Sequence, residues 1–150
     1  MRRGARLGVD VGSVRIGVAA SDVEGSLAFP LRTLDARADW LDGLGAAIED
    51  YAPIEIVVGL PVSLDGRENA AAIRARAAVD SITSRFPRVR VRLVDERFTT
   101  TQAQGQLRAS GVSSRKGRSV VDQVAASIML QGALDTERAT GEPPGTLANG

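Results

Sequence analysis

Three carboxylates in this chain stand in, or directly after, segments that would otherwise form an apolar core. Asp10 lies in the run LGVDVG, Glu96 follows the run VRVRLVD, and Asp122 lies in the run VVDQVAA. Burying a charged group costs free energy unless that group is paired, hydrogen-bonded or bound to a metal. Any fold of this chain must give these side chains such partners, which makes them the first candidates for a functional site.

The residue types that are missing narrow the chemistry of that site. The sequence has no His and no Cys, which excludes an imidazole general base, a thiolate nucleophile and the usual ligands of a structural zinc ion. Carboxylate oxygens suit Mg²⁺ or Mn²⁺, and two such ions about 3.5–4 Å apart can activate water and stabilise a leaving oxygen. The pattern predicts a metal-dependent phosphodiesterase site.

Length and composition indicate one folded domain. A chain of 150 residues with 43% hydrophobic residues fits a single domain with a core of useful size. Aromatic residues make up only 3%, so platforms for stacking bases are scarce. The basic N-terminus precedes a short strand and not an apolar signal core, no stretch is long enough to cross a membrane, and the absence of Cys is compatible with a reducing compartment. We therefore expect a soluble cytoplasmic protein.

Positive charge is concentrated in one part of the sequence. The whole chain has a formal net charge of +1, whereas the segment 85–118 has nine basic and two acidic residues, a net +7. Such a segment favours contact with phosphate groups. The alternative is that arginines only cover solvated surfaces. Lys116 is the only lysine, so genome composition can explain part of the excess of arginine.

The order of apolar runs and turn residues predicts an α/β protein. Three short strands separated by turns favour an antiparallel meander, and two later strands alternate with helices. Gly, Pro and Asn become frequent from Ala139, which predicts a domain over 1–138 and a disordered tail over 139–150. The predicted strands are 7–12, 16–21, 26–34, 54–60 and 89–95, and the predicted helices are 39–51, 68–85, 100–110 and 119–137.

The predicted first strand has two different faces. Gly8, Asp10 and Gly12 share one face, so the backbone around Asp10 is open to a ligand, while the opposite face is apolar. On the last predicted helix, Asp122 shares a face with Ala126, whose small side chain lets the helix approach the sheet closely. Both features favour a site over a simple turn or cap.

Four segments, in this order, resemble the YqgF/RuvX family. They are LGVDVG, the loop GLP with the DG turn that follows it, the box DERFTT and the helix segment VDQVAA. Members of that family are described as pre-16S rRNA nucleases or Holliday-junction resolvase-like proteins of bacteria. The resemblance covers nearly the whole chain before the tail. It implies a ribonuclease-H-like fold: a mixed five-stranded sheet, with three antiparallel strands followed by two parallel ones, flanked by helices.

The resemblance also implies that Asp10, Glu96 and Asp122 are the catalytic carboxylates and that they bind Mg²⁺ or Mn²⁺. Other roles stay open for each of them. Asp10 could only form a turn beside Gly12, and Asp122 could only interact with the dipole of its helix. Asp95 competes with Glu96, because adjacent side chains on extended backbone face opposite ways.

Basic residues near the carboxylates are the candidate nucleic-acid contacts. Arg15 and Arg97 can hold phosphate oxygens by bidentate hydrogen bonds, with a surface salt bridge as the alternative for each. Arg115, Lys116 and Arg118 lie in a segment that is predicted to be a mobile polar loop. There they would either clamp phosphates or only be solvated.

The sequence thus predicts a nuclease that acts on structured RNA or branched DNA. The 5′ end of precursor 16S rRNA and a Holliday junction both fit the resemblance, since contacts to phosphates and metals carry no base code. Further candidate partners are the precursor of the small ribosomal subunit and a second copy of the chain. The alternatives are a non-catalytic nucleic-acid-binding assembly factor and an actin-like or sugar-kinase-like ATP-binding domain, for which this chain is short.

Overall fold

The computed structural model describes residues 1–96 and 115–149 and has a mixed sheet with helices on both faces. Among the helices it describes, none is both long and apolar enough to span a lipid bilayer. The strands are β1 (Arg6–Val11), β2 (Arg15–Ser21), β3 (Ala28–Asp35), β4 (Glu55–Leu60), β5 (Val91–Asp95) and β6 (Thr146–Leu147), and the helices are α1 (Trp40–Tyr51), α2 (Ala70–Arg85) and α3 (Arg115–Thr140).

The six strands have the spatial order β3-β2-β1-β4-β5-β6. Strand β2 pairs antiparallel with β1 and with β3, whereas β4 pairs in parallel with both β1 and β5. This confirms the predicted α/β sheet with three antiparallel strands followed by two parallel ones. The sheet has six strands and not the predicted five, because β6 pairs with β5. Strand β3 lies at one edge and contains Pro30, which suits an edge because proline has no N–H to donate to a neighbour.

The two faces of β1 pack against different helices. Leu7 and Val9 belong to the core beneath α1 and α2, as their alternation predicts. The opposite face packs against α3, and a Cβ atom at Gly8 would come within 2.9 Å of Leu130 Cβ. Helix α3 therefore fills the space above Gly8 that was expected to be open to a ligand. Only the end of the strand, at Asp10, is left for a site.

The carboxyl-terminal residues differ from the predicted disordered tail. Helix α3 continues to Thr140, and the short strand β6 pairs antiparallel with β5. The side chain of Asn149 accepts a hydrogen bond from Val91 N (2.8 Å) and donates one to Val89 O (2.9 Å). Composition did not reveal this pairing, because a backbone ladder of two residues requires no particular side chains.

A buried network of charges joins the carboxyl-terminal half of α3 to the sheet. Glu137 of α3 is 3% exposed and accepts hydrogen bonds from Arg2 Nη2 (2.6 Å) and Arg6 Nη2 (2.9 Å). Glu55 of β4 is 1% exposed and pairs with Arg2 and with Arg92 of β5. Burial opposes the ionisation of Glu137, yet hydrogen bonds from Arg2 and the charges of Arg2 and Arg6 lower its pKa to about 2. The network therefore holds the N-terminus, the three strands β1, β4 and β5, and α3 together at neutral pH.

We expect Glu137→Gln to lower the free energy of unfolding by about 3–5 kcal/mol, because it leaves the buried Arg6 without its anion. Urea denaturation at neutral pH measures this change. Asp135→Asn, which removes an exposed pair with Arg138 on the same helix, is the control and should cost at most about 1 kcal/mol.

The pH dependence provides a second check on Glu137. Its folded-state pKa lies below the ordinary value of 4.5, so its contribution to stability is present above that value and is lost as the pH falls towards about 2. The wild type should lose this contribution on acidification and the glutamine variant should not. Equal stability of the two variants across this range would contradict the role of the network.

Candidate active site

The carboxyl ends of the parallel strands bring two of the predicted carboxylates together. Asp10 is the penultimate residue of β1, and Glu96 directly follows β5. Strand β4 lies between them, and the Glu96 backbone N–H donates to Leu60 O at its end (3.3 Å). Glu96 is 5% exposed, whereas the neighbouring Asp95 is exposed. Glu96 is thus directed inward at the sheet edge where α/β proteins commonly place ligands.

Asp10 and Glu96 share a side-chain hydrogen bond. Burial raises the pKa of Glu96 to about 8, helped by the charge of Asp10, the hydrogen bond and the charge of Asp95. Burial also raises the pKa of Asp10 to about 6, helped by the charge of Asp122 and opposed by the hydrogen bond from Glu96. At neutral pH, the Glu96 carboxyl group therefore stays protonated and donates a hydrogen bond to the Asp10 carboxylate.

Two glycines flank Asp10 on the neighbouring strands and permit this close arrangement. Gly17 of β2 pairs directly with Asp10, and Gly59 lies at the same level on β4. A Cβ atom at Gly59 would lie 2.1 Å from Glu96 Oε2, and one at Gly17 would lie 2.0 Å from the Asp122 carbonyl oxygen. Gly59 belongs to the GLP segment that contributes to the family resemblance. Gly17 was not among the candidate residues, although a glycine inside a predicted strand is a known sign of close approach.

Asp122 lies on α3 and faces the same end of the sheet. Its Oδ2 atom accepts a hydrogen bond from Arg15 Nε at 2.6 Å, and Arg15 is the first residue of β2. The two side chains are 24% and 33% exposed, so water reaches both. Ala126 is fully buried, which agrees with the predicted close approach of this helix face to the sheet.

The donor atoms of these side chains are carboxylate oxygens, the ligands that Mg²⁺ and Mn²⁺ prefer. Asp10 and Glu96 fit such an ion, because their oxygens already meet around one proton and a cation can take its place. Within the two described segments, no group of three or more acidic side chains is arranged to hold a metal ion. Arg15 engages Asp122 through Oδ2. In a site that uses all three carboxylates, either Arg15 releases this oxygen or Asp122 binds the ion through Oδ1.

The structure describes some of the predicted nucleic-acid contacts in full, some by their backbone alone, and one not at all. Arg15 forms the salt bridge that was its alternative role, and Arg97 lies outside the described residues. The backbone of Arg115, Lys116 and Arg118 belongs to the first turns of α3, so the prediction of a loop there is wrong. Arginine and lysine are good helix formers, and one interior glycine costs only about 1 kcal/mol. The polar run can therefore continue the helix towards its N-terminus.

The raised pKa of Glu96 should make the stability of the metal-free protein depend on pH. A carboxyl group with a higher pKa in the folded state favours folding at low pH, and this contribution is lost as the pH rises. For Glu96 the loss spans the interval from 4.5 to about 8.

In EDTA, the free energy of unfolding of the wild type should fall more between about pH 5 and about pH 8 than that of Glu96→Gln, whose amide keeps a donor for Asp10. The charges of Asp122 and Asp95 also act on Asp10 and Glu96. Both residues are kept in the wild type and in Glu96→Gln, so the difference between the two slopes reports the change at Glu96. Equal slopes in urea denaturation would contradict the shared proton.

Two kinds of sequence comparison match most of the chain. The family model described as "RuvX: Holliday junction resolvase" matches residues 4–136. A protein of Streptomyces avermitilis named "Putative pre-16S rRNA nuclease" is 52% identical over 147 residues, which cover 97% of this chain and 94% of that protein. A protein of the same name from Thermobifida fusca is 46% identical over 157 residues, with coverage of 100% and 99%.

Solved structures of low sequence identity have the same fold. RuvC of T. thermophilus in complex with a Holliday junction substrate has a TM-score of 0.55 at 16% identity, covering 93% of this chain and 99% of that chain. Fowlpox virus resolvase in complex with Holliday junction DNA has a TM-score of 0.55 at 12% identity, covering 88% and 97%. These neighbours confirm the predicted ribonuclease-H-like architecture.

Proposed function

Since this chain belongs to the RuvX family, whose model is that of a Holliday junction resolvase, we propose that it is a nuclease that uses Mg²⁺ or Mn²⁺ to hydrolyse phosphodiester bonds. One observation carries the proposal: the buried Asp10 and Glu96 share a hydrogen bond at the carboxyl edge of the sheet, and the charge of Asp122 acts on the same Asp10. A sheet edge with three carboxylates and no His favours metal-assisted hydrolysis.

In this proposal, Asp10 and Glu96 are metal ligands, and Asp122 joins them when Arg15 releases it. The bound ion would supply a Lewis acid and lower the pKa of a water molecule. Glu96 must lose its proton before it can act as a ligand. Arg15, once released, keeps its charge beside the carboxylates, where it can donate hydrogen bonds to a phosphate oxygen of the substrate.

The first proposed substrate is the 5′ end of precursor 16S rRNA, because relatives that are about half identical over nearly the whole chain bear the name of that activity. Branched DNA is the second candidate, favoured by the description of the family model. The proposed place of action is the cytoplasm. The small-subunit precursor and a second copy of the chain stay predicted partners.

Cleavage should require Mg²⁺ or Mn²⁺, stop in excess EDTA and need no ATP. Asp10→Asn should lower the cleavage rate by about 100-fold or more. It should not destabilise the fold at neutral pH, because the amide replaces a buried charge. The measurement is a time course on a structured RNA and a four-way DNA junction, and the substrate that is cut faster identifies the activity.

Asp135→Asn is the matched control for this experiment, since it removes an exposed carboxylate from α3 and should cleave as the wild type does. Cleavage by Asp10→Asn at the wild-type rate would refute the proposed chemistry. Tight binding of either substrate without any cleavage would favour the non-catalytic assembly factor instead.

Binding and cleavage should separate in a second set of variants. Phosphate contacts supply affinity through the release of counterions, which makes affinity depend on salt. Replacement of Arg115, Lys116 and Arg118 together by Ala should weaken nucleic-acid binding and flatten the slope of log affinity against log salt concentration. Alanine suits the helix in which their backbone lies. By contrast, Asp122→Asn should bind at least as tightly as the wild type and cleave little.

A variant with Ala at Arg3, Arg37 and Arg85 removes the same charge and is the control. Each of these arginines pairs singly with an acidic side chain, and each is largely or about half exposed. Binding by the first triple variant with wild-type affinity and salt slope would show that the amino-terminal end of α3 does not hold phosphates.

A further inference from the structure

A cavity of about 350 Å³ lies on the opposite face of the sheet from Asp10, where β1 ends. Its volume is within the range of small-molecule sites. None of its side chains takes part in the chemistry proposed above. The lining includes Gly12 and Ser13 from the first turn, Trp40 from α1, and Arg74, Ala77 and Ser81 from α2.

The turn between β1 and β2 separates this cavity from the carboxylates. The Gly12 N–H donates to Arg15 O (2.9 Å) and closes the turn. Gly12 follows Asp10 by two residues, which corresponds to about 7 Å or less of extended backbone. Ser13 lines the cavity, while Arg15 contacts Asp122 on the other side. A nucleic-acid strand that crosses this turn can therefore place one nucleotide at the carboxylates and the neighbouring nucleotide at the cavity.

Trp40 provides an aromatic surface in the wall of the cavity. It is half-buried and packs partly against the core beneath α1. Across residues 1–96 and 115–149, its indole N–H donates no hydrogen bond. An aromatic ring held at one side by the core is a suitable platform for a nucleobase, because every base has a face that stacks.

Arg74 adds a cation that the rest of the described chain does not neutralise. It is half-buried on α2 and has no acidic partner in the described segments. On the same helix, Arg76 pairs with Glu68 and Arg85 pairs with Asp42. A half-buried guanidinium without an anion, in a cavity that an aromatic ring and serine hydroxyls also line, suits a phosphate attached to a base better than it suits an apolar ligand.

We propose that this cavity binds one unpaired nucleotide of the substrate, with its base against Trp40 and its phosphate near Arg74. The inference rests on the proposed nuclease function, because that function places the nucleic-acid strand at the carboxylates. Binding of a nucleotide in the cavity requires no cleavage. A base in the cavity cannot stack or pair within a duplex. The site would therefore select single-stranded ends, loops or junction points over continuous duplex, and would do so without reading sequence.

Fluorescence measures the proposed binding directly, because Trp40 is the only tryptophan of the chain. A short oligoadenylate is titrated into the wild type in EDTA, where no metal-dependent cleavage occurs. The same titration uses an oligomer of equal length whose central nucleotides are abasic. We expect saturable quenching of the tryptophan emission by the first oligomer and affinity about tenfold or more weaker for the second.

Two pairs of variants locate the site. Ala77→Phe should fill the cavity, abolish the quenching and remove the difference between the two oligomers, whereas Ala70→Phe, on α2 but away from the cavity, should behave as the wild type. Arg74→Gln should weaken binding more than Arg76→Gln, although both remove one charge from α2. If Ala77→Phe does not fold, as judged from thermal unfolding, the Arg74 and Arg76 pair and the abasic oligomer decide the question.

The outcomes separate this inference from the nuclease proposal. Equal affinity for the two oligomers with unchanged emission would overturn the nucleotide site, even if the protein cleaves RNA or DNA. Quenching that Ala77→Phe and Arg74→Gln leave intact would also overturn it. Discrimination between the oligomers by a protein that cleaves neither substrate would support the cavity and refute the nuclease.

Discussion

The site depends on a strip of backbone without side chains on either side of Asp10. Gly17 and Gly59 provide it, one on each neighbouring strand. Glu96 lies over one glycine and the Asp122 turn of α3 lies over the other, at distances that no Cβ atom would permit. A larger residue at either position would push one acidic residue away from Asp10. The approach of Glu96 and of the Asp122 turn to Asp10 is therefore a packing property of the sheet as well as a property of the acidic residues.

Helix α3 is held at two distant points, and this fixes where Asp122 lies. Asp122 and Glu137 are 15 residues apart, which corresponds to about 22 Å along a helix axis. Near the first point, the helix backbone meets Gly17, and near the second, Glu137 binds Arg2 and Arg6 in a buried network. Between these two points, apolar side chains of the helix such as Met129 and Leu130 pack against the sheet. A charge network far from the site therefore adds to the packing that fixes its geometry.

The sequence predicted the parts of this structure that depend on patterns along the chain. Alternating apolar residues indicated the strands, and charges within apolar runs indicated the carboxylates. The Arg15–Asp122 pair joins residues 107 positions apart, and no local pattern reports such a contact. Strand β6 escaped prediction because it is two residues long and paired through its backbone. Glu55 and Glu137 were not singled out either, because their arginine partners come from other elements and only folding brings them together.

In the absence of metal, a proton on Glu96 and the guanidinium of Arg15 compensate the negative charge of the acidic side chains in the site. Glu96 keeps a proton that it donates to Asp10, and Asp122 binds the Arg15 guanidinium. Together these four side chains carry a single net negative charge at neutral pH, which limits repulsion of a polyanion. In the proposed reaction, the proton and the guanidinium have different fates. The proton of Glu96 leaves to solvent, at a cost that falls as the pH rises. Arg15 stays attached to the turn between the carboxylates and the cavity, so the charge that leaves Asp122 remains where a phosphate of the substrate would lie.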